Sequence, residues 1–472
     1  MMLIKRLFFL LFLASAVTGG WHALKAAPRG TAYESPEIRT DQVSFLTDVT
    51  YERDGAQVRE QEIFQEAFRM IDAARRFVVL DVFLFNDDYE RSKTFDPLAR
   101  QLTEKLVAAA GRGVPVVVVT DPINTFYGAY ENPYLSQLQN AGVQVIITAL
   151  EPLRDSNPLY SGPYRLLGAP FGVSQARTLT NPFSPDSPKV SFSALLKMLN
   201  FKANHRKLVA TEEGLLVMSA NPHDASSNHS NIALSVKEPA LVAAALEAEQ
   251  GVAELSGAQT DLSTLVESPA DEAAAGQYGV RLLTESKIRD RVREAVQRAG
   301  AGDRIDVAVF YLSHRGLIED LAAAAGRGAQ VRLLLDANKD AFGRQKNGVP
   351  NRQAAMELVR RGSGNIAVRW ALTHGEQFHS KMIQVTTGET AVLIGGSCNF
   401  TRRNFDDLNL EANLMVTGPA SGAVFTEAEA WFQRLWQNEG AEFSGELSLY
   451  ADDSLPKVLL YRLMEATGLS TF

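Results

Sequence analysis

The stretch that decides the fold reads RIDVAVFYLSHRGLIEDLAAAAGRGAQVRLLLD and covers residues 304–336. It begins with an apolar strand over 304–312, continues as a helix that ends at the Gly-Arg-Gly turn of 326–328, and closes with an apolar strand that ends at Asp336. Glycine is the residue that most readily ends a helix. Continuous apolar strands that alternate with helices predict an α/β fold whose sheet is covered by helices.

An earlier part of the chain repeats this order of elements. A strand is predicted over 77–85, a helix from Leu98 to a second Gly-Arg-Gly turn at 111–113, and a strand over 114–120 that ends at Asp121. Each copy also has a helical pattern before its first strand. Self-similarity at this scale indicates a duplicated unit. We therefore predict two repeats, each a mixed β-sheet flanked by helices.

The repeats divide the 472 residues into two lobes, 27–250 and 278–472. This division agrees with the two large domains that the length allows. Residues 251–277 are rich in Ala, Ser, Gly and acidic residues, which predicts a linker. A surface helix rich in alanine is the alternative for the same segment.

The N-terminus has the pattern of an export signal. Lys5 and Arg6 precede an apolar run from Leu7 to Val17, and the small residues at 14–16 offer a cleavage site. We predict that 1–26 is a signal peptide or an uncleaved anchor. The lobes would then be extracytoplasmic, either released into the periplasm or held at the membrane by this segment.

The composition excludes several classes of protein. Apolar residues make up 46% of the chain and charged residues 22%, which is typical of a folded globular protein and not of a disordered one. A single cysteine excludes a disulfide framework and a zinc site made of several thiolates. The net charge of -8 disfavours nucleic acid as a partner, because a positive surface is needed to displace phosphate counterions.

Residues 151–203 form an insertion in the first repeat that the second repeat lacks. The segment is dense in proline and aromatic residues, including Tyr160, Phe171 and Phe192. Long insertions in compact domains are often lids or binding loops. We predict a hydrophobic lid or a lipid-facing surface, and the alternative is a loop that packs over the core.

The same group of polar residues follows the shared order of strands and helices in each repeat. Residues two apart on a strand project from the same face, so each histidine projects together with the lysine two positions later. A hairpin then returns a Ser-x-Asn turn beside them. The first motif contains His205, Lys207, Ser219 and Asn221, and the second contains His379, Lys381, Ser397 and Asn399.

These residue types suit phosphoryl chemistry. Lysine, serine and asparagine donate hydrogen bonds to several oxygens at once, which fits a phosphate and its more highly charged transition state. Histidine can attack phosphorus or pass a proton to the departing alcohol. A pair in which one histidine is neutral and the other protonated predicts a bell-shaped dependence of activity on pH.

The two motifs resemble the phospholipase D superfamily, in which an H-x-K-x4-D motif occurs twice and is followed by turns that end in Asn. The resemblance spans about residues 60–440 and includes the repeated strand and helix pattern. It implies pseudo-twofold symmetry with the active site at the interface of the lobes, a covalent phosphohistidine, and no metal or other cofactor. His205 and His379 would be the nucleophile and the general acid, with His205 favoured as the nucleophile.

The resemblance also assigns roles to the residues around the two histidines. Lys207, Lys381, Asn221 and Asn399 would bind the phosphate, with Ser219 and Ser397 in support. In the family an acidic residue near the position of Glu411 accepts the second N–H of a catalytic histidine, which fixes its tautomer. The equivalent residue of the first repeat is Asn231, a neutral group, so the two histidines would differ.

The chain departs from the family pattern at the motif aspartate, which is replaced by Glu212 in the first motif and Thr386 in the second. Three further histidines lie near the motifs, but no acidic or thiolate partner stands at metal-ligand spacing, so we assign them supporting roles. We expect Cys398 to be a small buried residue, and the amphipathic stretch 455–469 to pack on the core. The three histidines are His223, His229 and His374.

The sequence thus predicts an exported phosphodiesterase or phosphatidyltransferase of phospholipase D type that acts on phospholipid at the membrane surface. Phosphatidylglycerol as the acceptor would make the activity cardiolipin synthesis. The alternatives are an exported nuclease of the same superfamily and a phospholipid-binding member without turnover. Because both motifs lie in one chain, we predict a monomer.

Overall fold

The computed structural model describes residues 1–266, 275–341, 344–470 and 472. Within them the chain forms two mixed sheets, one of eight strands and one of nine, with helices packed against both. It begins with a long helix, α1 (Met2–Leu24), and a short strand, β1 (Ile38–Thr40).

The first lobe supplies the eight-stranded sheet. Its elements in chain order are β2 (Val43–Arg53), β3 (Ala56–Gln61), α2 (Ile63–Ala73), β4 (Val78–Val82), α3 (Leu98–Gly111), β5 (Val116–Thr120), α4 (Pro133–Asn140), β6 (Gln144–Ile147), α5 (Pro158–Leu167), α6 (Phe192–Met198), β7 (Lys207–Thr211), β8 (Gly214–Met218), β9 (Asn231–Val236) and α7 (Pro239–Leu255).

The second lobe supplies all but one strand of the nine-stranded sheet. Its elements are β10 (Tyr278–Thr284), α8 (Ser286–Arg298), β11 (Arg304–Val309), α9 (Arg315–Gly326), β12 (Gln330–Asp336), the small hairpin of β13 (Asp340–Ala341) and β14 (Arg344–Gln345), α10 (Asn351–Arg361), β15 (Ile366–Ala371), β16 (Lys381–Thr387), β17 (Thr390–Gly396), α11 (Arg402–Phe405), β18 (Ala412–Pro419), α12 (Ala423–Gln437), β19 (Ser444–Glu446) and α13 (Leu455–Thr467).

The two sheets repeat one topology. The first has the order β3-β2-β9-β8-β7-β4-β5-β6, and the second contains β10-β18-β17-β16-β11-β12-β15 in the equivalent places. In each sheet the last three of these strands are parallel to one another and the remaining pairs are antiparallel. The predicted fold of two mixed α/β repeats is confirmed.

The elements predicted around the Gly-Arg-Gly turns are present, and one strand is shorter than predicted. The apolar run 77–85 is a strand only over β4, because the chain leaves the sheet after Val82 and carries Phe83 to the interface of the lobes. Strand β1 lies within the range 27–250 but pairs with β10 of the second sheet. Helix α7 continues into the predicted linker as far as Leu255, while 267–274 lie outside the described residues.

The described residues form three hydrophobic cores, because side chains alternate between the two faces of each sheet. Val78 and Leu80 of β4 pack against α2 and α3, whereas Val79 between them belongs to a core shared by both lobes. That shared core also contains Leu282 and Leu414 of the second sheet. Every residue of β4, β5, β7, β8 and β9 is buried, because helices cover one face of the sheet and the other lobe covers the opposite face.

The insertion of residues 151–203 packs against the N-terminal helix. Ser15 and Gly19 are the buried residues of α1, and they lie against α5 of the insertion. A Cβ on Gly19 would collide with the carbonyl oxygen of Pro158, and one on Gly162 with that of Ser15, so glycine permits this close approach. The amide of Asp155 also donates to the carbonyl of His22 over 2.9 Å.

Candidate active site

The two histidine motifs lie at equivalent edges of the two sheets and face each other. His205 precedes β7 and His379 precedes β16, and both strands lie in the middle of their sheets. The lobes are joined here by two short parallel β-bridges, Asn204 with Leu410 and Ser230 with Phe378. Each bridge holds the backbone of one histidine motif against the other lobe.

Each histidine is oriented by a residue of the opposite lobe. The Nδ1 atom of His205 lies 2.8 Å and 3.1 Å from the two carboxylate oxygens of Glu411. The Nδ1 atom of His379 lies 3.2 Å from the amide oxygen of Asn231. An acceptor at Nδ1 places the ring proton there and leaves the lone pair on Nε2. Both rings border the cavity between the lobes, so Nε2 is the nitrogen available to a substrate.

The two orienting groups are themselves held by hydroxyl groups. Ser219 donates to the amide oxygen of Asn231 over 3.0 Å, and Ser397 donates to Glu411. Both serine side chains are fully buried, so they lie behind the histidines rather than in the cavity wall. Asn404, which follows the Ser-x-Asn turn of the second motif, also donates to Glu411. This contact was not predicted from the sequence.

The lysines are buried beside the histidines in matching positions. The Nζ atom of Lys207 donates to the carbonyl of His205 over 2.8 Å, and that of Lys381 donates to the carbonyl of His379 over 2.5 Å. Each ammonium also lies over an aromatic ring, Lys207 at 5.2 Å from the Phe83 centroid and Lys381 at 5.4 Å from the Phe310 centroid. Both lysine side chains are fully buried, and neither is among the described residues that border the cavity between the lobes.

Burial controls the protonation of the site. It lowers the pKa of His205 well below 6.5, and the ammonium groups of Lys207 and Lys381 lower it further. The pKa of His379 is lowered in the same way, first by burial and then by Lys381. Burial also lowers the pKa of Lys207 to about 7. A phosphate anion in the cavity would stabilise the protonated forms of these groups and raise their pKa values.

Glu411 is the acidic member of the site. Burial raises its pKa to about 8, while the Lys207 ammonium and the hydrogen bond from Ser397 oppose that rise. The backbone of Glu411 is fixed as well, because its N–H donates to the Glu285 carboxylate over 3.0 Å. Glu285 in turn binds Arg206, which points away from the cavity between the two motif residues His205 and Lys207.

The two asparagines of the motifs also border the cavity. Asn221 accepts a long hydrogen bond of 3.5 Å from the amide of Leu84. The Asn399 side-chain oxygen is buried and has no hydrogen-bond partner among the residues that the structure describes. The two histidines and the two asparagines thus border one cavity.

The cavity between the lobes has a volume of about 310 Å³. Beyond the two histidines its wall is mainly aromatic and apolar, with contributions from the loop that follows β4 and from the insertion. The insertion supplies Phe183, Pro185, Met198, Phe201, Lys202 and Ala203. The 151–203 segment is therefore part of the wall of the candidate site.

The residues at the motif aspartate positions lie away from this cavity. Glu212 accepts hydrogen bonds from the amides of Arg75, Arg76 and Phe77, where the chain passes from α2 to β4. Thr386 lies in β16 opposite Arg304. Cys398 is buried, as expected. The described residues contain no cluster of three or more His, Cys, Asp or Glu side chains placed to bind a metal ion.

Comparison with known proteins finds a family model that matches part of the second lobe and solved structures with a similar fold. Residues 292–436 match the family model described as cardiolipin synthase, PLD-like domain. The crystal structure of phosphatidylserine synthase from Haemophilus influenzae Rd KW20 superposes with a TM-score of 0.56 at 10% identity, over 95% of this chain and 97% of that one. No curated protein sequence is similar enough to this chain to count as a match.

Two further solved structures are similar at lower scores. Polyphosphate kinase from Porphyromonas gingivalis has a TM-score of 0.47 at 12% identity, over 90% of this chain and 53% of that one. Nuc from Salmonella typhimurium, a phospholipase D family member, has a TM-score of 0.27 at 19% identity, over 36% of this chain and 97% of that one.

Proposed function

We propose that this protein, whose fold and second-lobe sequence resemble the phospholipase D superfamily, cleaves the head group of a phospholipid and transfers the phosphatidyl group to water or to an alcohol. The observation that carries the proposal is the crossed pair of histidines, each oriented through Nδ1 by a residue of the other lobe. This arrangement directs two Nε2 atoms at one cavity, as in-line displacement at phosphorus requires.

In the first step the neutral Nε2 of His205 attacks phosphorus, and the bond between phosphorus and the head-group oxygen breaks. Protonated His379 gives its proton to that oxygen, so the head group leaves as a neutral alcohol. Binding of the anionic phosphate raises the pKa of His379, so its ring takes up from solvent the proton that it then donates. The Glu411 carboxylate stabilises the positive ring of His205 once it is bonded to phosphorus.

In the second step His379, now neutral, takes a proton from water or an alcohol, whose oxygen attacks phosphorus. The bond between phosphorus and His205 breaks and the free imidazole returns. Lys207, Lys381, Asn221 and Asn399 stabilise the negative charge on the phosphoryl oxygens in both steps. With phosphatidylglycerol as the alcohol, the product would be cardiolipin.

A lipid substrate is supported by the surfaces next to the cavity. Helix α1 is long and apolar enough to cross a membrane. Its most apolar 18 residues have a mean hydropathy of 1.7, and only 6% of that stretch is buried. The neighbouring insertion exposes Leu159, Leu167 and Phe171, the last to 85%. We propose that α1 is retained as an anchor, with Lys5 and Arg6 on the cytoplasmic side and the lobes on the exported side.

The test uses the purified full chain and vesicles of phosphatidylglycerol and phosphatidylethanolamine, with and without added glycerol, and identifies the products by mass spectrometry. The matched blank is the double variant His205→Ala, His379→Ala. We expect phosphatidic acid or a new phosphatidyl alcohol with the native chain alone, and a phosphorylated histidine after rapid acid quenching.

Three results would contradict the proposal. Equal product from the double variant would exclude the histidine mechanism. Turnover of single-stranded DNA without turnover of lipid would favour the nuclease. Binding of phospholipid without product would favour a binding protein that lacks catalysis.

A further inference from the structure

A second pair of cavity residues stands in equivalent positions of the two lobes. His229 lies two residues before Asn231, and Asn409 lies two residues before Glu411. Each therefore precedes the residue that orients a catalytic histidine. Both side chains border the cavity, and neither belongs to the two histidine motifs.

The two side chains are held in the same way. The backbone N–H of Gln377 donates to Nδ1 of His229 over 3.2 Å, and the backbone N–H of Ala203 donates to the side-chain oxygen of Asn409 over 3.0 Å. Gln377 and Ala203 are themselves equivalent, because each lies two residues before a catalytic histidine. The duplicated fold thus keeps this contact although the side chain differs between the lobes.

The backbone donors decide which atoms face the cavity. A backbone N–H needs an acceptor, so Nδ1 of His229 carries a lone pair and the ring proton is on Nε2. For the same reason the side-chain oxygen of Asn409 turns to Ala203, and its two N–H groups are left for the cavity. Burial lowers the pKa of His229 to about 3, so its ring remains a neutral donor.

The position of the pair relates it to the reacting phosphate. The rings of His229 and His379 have centroids 5.7 Å apart, so His229 stands next to the proposed general acid. Asn409 has the equivalent place on the side of His205, since its partner Ala203 precedes His205 by two residues. The phosphate-binding groups thus lie between two neutral donors.

We propose that His229 and Asn409 bind acceptor oxygens of the two groups that are esterified to the phosphate. Building on the proposed function, His229 would contact the alcohol that His379 protonates, and Asn409 would contact the group that stays on phosphorus. Two fixed donors on opposite sides would set the direction in which an otherwise nearly symmetric phosphodiester enters the site.

The test measures binding, so that it does not depend on turnover. All proteins carry His205→Ala, and calorimetry compares glycerophosphoglycerol, whose two arms bear oxygens, with inorganic phosphate, which has no arms. His229→Phe keeps the ring and removes the donor, and Asn409→Ala removes the amide. We expect each to weaken diester binding about tenfold, as the loss of one hydrogen bond implies, and phosphate binding less than threefold.

Rescue variants separate a substrate contact from a structural role. His229→Asn and Asn409→His exchange the residues between the lobes and keep both an acceptor and a donor, so we expect affinity for the diester to return to within threefold. Asn228→Ala is the matched control, because Asn228 neighbours His229 but contacts Arg59 and Gln57 instead. Equal losses for both ligands, no loss, or no diester binding by the His205→Ala parent would each overturn the inference.

The binding test and the test of the proposed function can fail independently of each other. Selective loss of diester affinity in a protein that never turns over lipid would refute the enzymatic proposal and keep the assignment of His229 and Asn409. Turnover of lipid without any selective loss would do the reverse.

Discussion

The two motif histidines differ in the charge of the group that orients them. His205 faces the carboxylate of Glu411, and His379 faces the neutral amide of Asn231. A carboxylate stabilises a positively charged ring better than an amide does, because the attraction acts in a buried, low-dielectric site. The difference favours His205 as the histidine that becomes bonded to phosphorus.

Replacing Glu411 by Gln tests this difference. The amide keeps the shape of the side chain, but its NH2 group would face Ser397, Asn404 or His205, which all donate in the native site. We expect kcat to fall by about a hundredfold or more, since an orienting carboxylate sets the tautomer of its histidine. Quenched-flow measurement of the phosphorylated histidine checks the result, with thermal melting as the control for folding. Unchanged formation of that species would contradict the assignment.

The pH dependence of kcat/KM follows from the lowered pKa values. Because the pKa of His205 is lowered well below 6.5, its ring stays neutral in acid where an ordinary histidine is protonated. Protonation of His205 should therefore reduce activity only as the pH falls below 6.5 through that lowered pKa. On the alkaline side the proton of the general acid His379, whose pKa is also lowered, and the charge of Lys207, with a pKa of about 7, are lost as the pH rises, which lowers activity again.

The profile is measured with a soluble phosphodiester between about pH 4.5 and 9, with circular dichroism over the same range to confirm that the fold persists. Because the pKa of Glu411 is raised to about 8, the profile is also measured with Glu411→Gln, and an acid limb centred above pH 6.5 in that variant would contradict the lowered pKa of His205.

At the scale of elements, the contact between α1 and α5 decides where the insertion lies. Residue 15 of α1 contacts residue 162, residue 19 contacts residue 158, and residue 22 contacts residue 155. The start of the insertion therefore runs antiparallel to α1. The contact is made of small residues, which allow close helix packing in a membrane. A cleaved signal peptide would leave this surface of α5 uncovered.

Adjacent glycines of α1 provide a matched test of that contact. Gly19→Leu would force α1 away from Pro158, whereas Gly20→Leu meets no atom within 4 Å. We expect Gly19→Leu to lower turnover of vesicle lipid about tenfold relative to a soluble diester, because the insertion and the anchor would separate. Gly20→Leu should leave that ratio unchanged. Equal ratios in both variants, or a native chain shortened at 14–16, would contradict a retained anchor.

The elements themselves were largely predictable from the sequence. The apolar runs at 114–120 and 331–335 and the Gly-Arg-Gly turns indicated strands and helix ends correctly, because these signals depend on residues close together in the chain. The place of β1 was not predictable, since its partner β10 is more than two hundred residues away. The role of Glu212 in binding the amides before β4 was equally hidden.

At the scale of the whole molecule, the candidate active site belongs to neither lobe alone. Each histidine needs a residue of the other lobe, and the two β-bridges bring the motif backbones together. The shared core between the sheets fixes this arrangement. One chain therefore completes the candidate site, and a monomer remains our prediction.

Chelation tests whether the assembled site works with its own side chains. The proposed chemistry assigns the nucleophile, the acid and the positive charge to histidine and lysine. We expect EDTA at about 5 mM to leave kcat within twofold, the scatter expected when no stabilising interaction is removed. Turnover is measured before and after dialysis into metal-free buffer. A large loss that added Mg²⁺, Ca²⁺ or Zn²⁺ restores would contradict the mechanism.

The sequence by itself determined the duplicated α/β fold, the two histidine motifs and the apolar N-terminal segment. Those features depend on hydrophobic periodicity and short spacings, which are local properties of the chain. The family resemblance named Glu411 and Asn231 as orienting residues, but only the tertiary structure decided that Glu411 orients His205, that Asn231 orients His379, and that His229 and Asn409 line the same cavity. The physical reason is that these contacts join residues 206 and 148 positions apart, across an interface that forms only when two folded sheets bury a common core.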